Sequence, residues 1–131
     1  MTEPVASLNL ALGWLWLALG TVAGLVLGSF FHREEWLGGY GSLRRRMYRL
    51  MHISFFGLGI LNLLFHFTVR ALPSPGATVQ AASWALALGA VTMPVCCALM
   101  ARSTRFRLLF AVPVTGVLVG TVLTLREVWP T

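Results

Sequence analysis

The run LNLALGWLWLALGTVAGLVLGSFF, residues 8–31, carries no charged side chain across 24 positions. At about 1.5 Å per residue, a helix of that length crosses the roughly 30 Å hydrocarbon layer of a bilayer. Three more uncharged apolar runs follow, at about residues 50–69, 81–101 and 108–125. In lipid only helices and closed barrels satisfy their own backbone groups. A barrel strand would alternate, whereas the Leu-Val-Leu-Gly and Leu-Leu-Phe-Ala stretches in these runs would be apolar on both faces. The expected fold is therefore an all-α integral membrane protein, a four-transmembrane-helix up-and-down bundle, with residues 1–131 forming a single membrane domain.

Composition agrees. Hydrophobic residues make up 57% of the 131, charged ones only 11%, and the mean hydropathy is +0.79, above what a soluble domain of this size buries. Glu3 precedes the first run and no basic residue does, the opposite of a cleaved secretion signal, so the run is expected to remain as a span. The formal charge of +6 is split between short loops with no aqueous domain to present it, which argues against nucleic acid as a partner. The bilayer is the first partner the sequence implies.

Sidedness follows from the arginines. Arg33, Arg44, Arg45, Arg46 and Arg49 fall between the first two runs, and Arg102, Arg105 and Arg107 between the last two. On the other side lie only Arg70 and Arg126. The eight-to-two bias places the first and third loops in the cytoplasm and both termini outside. All ten basic residues are arginine, a hint of a GC-rich bacterial genome, so the expected location is the bacterial cytoplasmic membrane with periplasmic termini. Trp36 then sits near the inner interface, Trp84 and Trp129 near the outer one, and the Pro73 and Pro75 segment makes a tight outer turn.

Small residues recur at helical spacing. Gly20, Gly24 and Gly28 share a face of the first span and Gly116 and Gly120 one of the fourth, while Ala81, Ala85 and Gly89 stripe the third. Such faces let helices approach closely, or admit a flat cofactor or a lipid tail. Pro94 and Pro113 are expected to bend the third and fourth spans and each frees a carbonyl one turn earlier.

The second span holds the polar residues most relevant to function. His52, Phe55, Gly59, Asn62 and His66 lie on one helix face. The two histidines are 14 residues apart, about 21 Å along the axis. Polar groups inside a span turn toward protein, so this face is expected to look into the bundle or at another subunit. The histidine spacing is similar to that on the haem-ligating helices of b-type membrane cytochromes, a resemblance that covers one helix. It implies haem b as a candidate cofactor, with His52, His66 and His32 as candidate ligands, Asn62 orienting His66 and the arginines at 44–46 and 49 meeting propionates. No second helix supplies matching histidines, so His66 would need a ligand from another subunit, from a second copy, or from a methionine such as Met1.

Cys96 and Cys97 are adjacent and point about 100° apart, unsuited to chelating one ion or forming a disulfide. Three histidines spread over both surfaces do not assemble a zinc site. No carboxylate lies within a span, which argues against a proton relay or ion pathway, and no catalytic constellation is visible. Two classes remain. One is a small non-catalytic accessory or structural subunit of a larger membrane complex, for example an electron-transfer complex, or of a homo-oligomer. The other is a b-type haem-binding, quinone-site or pigment-binding membrane subunit that uses the histidines of the second span.

Overall fold

In the computed structural model residues 3–129 are described, with side chains from residue 7 onward. Four helices, α1 (Glu3–Phe30), α2 (Leu43–Ala71), α3 (Thr78–Met100) and α4 (Ala111–Val128), account for about three quarters of them. Each contains or extends into a stretch long and apolar enough to cross a membrane. The chain is a multi-pass membrane protein with the architecture of a four-helix bundle. Consecutive helices are neighbours, with a lighter contact between α1 and α3. Pairing is thus α1 on α2, α2 on α3 and α3 on α4, and α4 stands at the end of the row, seated on α3.

Glycines set the two tightest crossings. A Cβ on Gly59 of α2 would lie 3.1 Å from the Gly13 carbonyl of α1, and one on Gly116 of α4 would lie 3.0 Å from the Ala85 carbonyl of α3. Only a residue without a side chain lets backbone meet backbone there. Along α1 the partners then become side chains, with the Phe56 ring against Gly20 and the His52 imidazole against Gly24. Gly120 receives Leu86 in the same way. Gly28 departs from the expected packing face: nothing lies within 4 Å of its Cβ direction. Each four-residue step turns about 40° past a whole turn, so Gly28 has rotated about 80° from Gly20 and left the seam.

The α1–α2 connection contains a short 3-10 turn, Trp36–Gly38, and is organised around one arginine. Arg45 is buried to 1% exposure. Its Nη2 donates to the Phe31 carbonyl at 2.8 Å, and Nη1 donates to those of Arg33 and Glu34 at 3.2 and 3.3 Å. These are carbonyls at and beyond the C-terminal end of α1, where a cation suits both the orphan acceptors and the helix dipole. The Tyr40 ring lies 3.7 Å from the guanidinium carbon, and the Tyr40 hydroxyl also donates to the Phe31 carbonyl. Ser42 caps α2 by accepting from the Arg45 backbone N–H.

At the opposite end, the α2–α3 turn is tied to the end of α4. The Gly76 N–H donates to Glu127 Oε2 at 2.9 Å and the Thr78 hydroxyl donates to Oε1 of the same carboxylate. The last turn of α4 and the α2–α3 turn therefore occupy the same end of the bundle. A 3-10 segment, Thr104–Phe110, precedes α4. Pro113 consequently sits in the first turn of α4, where its missing N–H costs nothing within the helix.

Candidate functional site

The polar side chains at the centre of the bundle are turned on one another. Asn9 of α1 donates from Nδ2 to Asn62 Oδ1 at 2.7 Å, and its Oδ1 accepts the Ser83 hydroxyl of α3. Asn62 Nδ2 donates to the Leu58 carbonyl one turn earlier on its own helix, at 2.8 Å. Asn9, Asn62 and Ser83 are each fully buried. Three helices are thereby joined at one level by amide and hydroxyl groups whose bonding capacity is directed inside the chain. In an apolar layer such groups have no water to turn to, so the cluster fixes the rotation of each helix about its axis.

Pro94 is answered from a neighbouring helix. Pro94 has no N–H for the Ala90 carbonyl four residues before it, and that carbonyl accepts the Trp16 indole N–H of α1 at 3.0 Å. Trp16 is 9% exposed and meets Phe55 of α2 edge to face, with ring centroids 5.8 Å apart. Four residues before Pro113, the Leu109 carbonyl accepts the Ala111 backbone N–H and is approached by the Cys96 thiol of α3 at 3.4 Å. Cys96 and Cys97 are both buried and free.

His52 is half-buried, its imidazole edge set against Gly24 and its ring against Phe56 at 5.3 Å. Its Nδ1 is buried with no hydrogen-bond partner. A Cβ on Gly24 would lie only 2.7 Å from His52 Cε1, so the imidazole itself fills the space that the glycine leaves between α1 and α2. His66 is buried at 6% exposure beside Phe67, and His32 is exposed in the loop after α1. These histidines are not brought together: among the described residues no group of three or more His, Cys, Asp or Glu is placed to hold a metal ion. Asn62 bonds to Asn9 and to the Leu58 carbonyl. Arg45, expected to face propionates with its neighbours, is consumed by the loop carbonyls. Met1 lies outside the described residues.

Three members of this interior were not singled out from sequence: Asn9, Trp16 and Ser83. One carried a signal: Asn9 near the start of the first span and Asn62 near the end of the second fall at the same depth in an antiparallel hairpin.

Comparison with known proteins returns no match: no family model, curated protein or solved structure is similar to the chain.

Proposed function

We propose that this chain is a small non-catalytic accessory subunit of a larger membrane complex. The observation behind it is the inward closure of the Asn9–Asn62–Ser83 cluster, joined by the Trp16 bond to Ala90. A transporter or membrane enzyme needs polar groups directed at a cavity, and here they are spent on holding α1, α2 and α3 together. What the bundle offers is its outside. Pro113, Gly116 and Gly120 of α4 are buried, while Val112, Val114, Leu118, Val119, Val122 and Leu125 form an exposed apolar surface available to other helices. In this reading the two arginine-rich loops face the cytoplasm of a bacterial cell and residues 3 and 129 the periplasm. The narrower assignment to an electron-transfer complex has the 14-residue histidine spacing behind it.

A reduced-minus-oxidised absorption spectrum of the purified chain separates this reading from the haem-binding one. No haem band is expected after expression with ample haem supply. A stoichiometric b-type band lost in both His52→Ala and His66→Ala would overturn the accessory reading.

A further inference from the structure

At the arginine-rich end of the bundle an apolar crevice of about 280 Å³ opens between α1 and α2. Ala23, Val26 and Leu27 form one wall, Tyr48 and Met51 the other, and Trp36 and Leu37 of the connecting turn close it. Leu37 has φ 57° and ψ 28°, a left-handed conformation that leucine rarely adopts, and Gly38 and Gly39 after it also have positive φ. Ser42 holds the turn in place by donating from its hydroxyl to the Leu37 carbonyl at 2.6 Å. A strained turn that spends a leucine on an apolar crevice at a membrane surface calls for a ligand that is apolar there.

The rim is of the opposite character. Arg44 is exposed and stands one helical turn before Tyr48, on the same face of α2. Exposed Arg33 lies over the Phe30 ring, which stacks on Trp36 at 5.3 Å. Five arginines against Glu34 and Glu35 leave residues 32–49 strongly positive. Among the described residues neither the Tyr48 hydroxyl nor the Trp36 indole N–H has a protein partner. An apolar slot beneath guanidinium groups and two free donors matches an amphiphile with a hydrocarbon tail and an anionic head. The volume is near the lower limit for a ligand pocket, suited to part of one acyl chain.

We infer that this crevice is a binding site for an anionic phospholipid, with an acyl chain between α1 and α2 and the phosphate at Arg44, assisted by Arg33 and Tyr48. The inference depends neither on which surface is cytoplasmic nor on the accessory role. Native mass spectrometry of the full chain in detergent, titrated with phosphatidylglycerol or phosphatidylcholine of identical chains, tests it. The unaltered protein should retain one phosphatidylglycerol at roughly a tenth of the phosphatidylcholine concentration, the effect of one charge-assisted contact. Arg44→Gln should abolish that preference, Val26→Trp should remove retention of both lipids by filling the slot, and Arg105→Gln, in the other loop, should change nothing. Arg44 and Val26 are exposed, so both variants keep the fold. Equal retention of the two lipids, an undiminished preference in Arg44→Gln, or displacement of the lipid by equimolar inorganic phosphate would each refute the site.

Discussion

Replacing Trp16 by phenylalanine removes the indole N–H that serves the Ala90 carbonyl while keeping an aromatic ring against Phe55. Ala90 is fully buried, and Pro94 cannot supply a donor, so the oxygen is left without a partner in an apolar interior. An unsatisfied buried acceptor costs about 1–3 kcal/mol in water-soluble proteins. Hydrogen bonds in membrane proteins average nearer 0.6 and reach about 1.7 kcal/mol, because the unfolded reference in the bilayer also finds partners. The expected destabilisation is therefore about 1–2 kcal/mol, of which a part is lost packing. A double-mutant cycle isolates the polar part. Pro94→Ala restores a backbone N–H to the same carbonyl, so Trp16→Phe in that background should cost about 0.5–1.5 kcal/mol less. Equilibrium unfolding of the four proteins in mixed micelles measures the difference. An equal cost in both backgrounds would show that the indole and the proline are not linked through the Ala90 oxygen.

The remaining expectations use the same assay unless stated. Asn9→Leu and Asn62→Leu should each destabilise by about 1–2 kcal/mol, and the double variant by less than their sum, because removing both amides orphans fewer groups than removing one. Additive losses would contradict the direct bond. Gly116→Ala should cost about 1–3 kcal/mol through the clash with the Ala85 carbonyl, whereas Gly28→Ala, facing open space, should be neutral or stabilise by up to about 1 kcal/mol. A penalty at Gly28 equal to that at Gly116 would mean that this face is covered by another chain. Arg45→Lys should disorder the α1–α2 turn almost as much as Arg45→Gln, since an ammonium cannot reach three carbonyls and stack on Tyr40 together, and limited proteolysis in residues 31–42 reads the change. Protection in the lysine variant would argue for charge alone. With buried Cys96 and Cys97 silent, Gly41→Cys should be shielded from an impermeant thiol reagent in intact cells and Ser74→Cys labelled; the reverse pattern inverts the proposed topology.

The four spans were legible because hydropathy over about 20 residues is a strong signal and lipid leaves the backbone no alternative to a helix. The start of the fourth was less so. Arg105 and Arg107 alternate with Phe106 and Leu108 in a 3-10 segment that belongs to neither the loop nor the α-helix proper. The α-helix proper therefore starts only at Ala111, with Pro113 in its first turn. The helix-facing role of Asn62 was readable from its place in an apolar run, but its partner was not, because a lone amide such as Asn9 becomes informative only once two helices are set antiparallel. Pro94 likewise announced a freed carbonyl without naming its donor, since nothing in the spacing of Trp16 and Pro94 fixes the crossing of α1 over α3. Arg45 shows the limit of composition most clearly. It lies between Arg44 and Arg46, identical in type and exposed, and only helical phase places it beneath the loop. The histidine spacing was regular enough to resemble a haem helix, and what it did not show is that the missing Cβ of Gly24 makes room for the His52 imidazole against α1.

Whether the chain works through its outer faces as part of a larger assembly is decided by the native mass of the particle it occupies when its own membranes are solubilised in mild detergent. An unlike membrane chain, in fixed ratio and lost on substitution of α4 surface residues such as Leu118→Arg, is predicted to accompany the 14.3 kDa chain. A particle holding this chain alone, unchanged by that substitution, would contradict the claim.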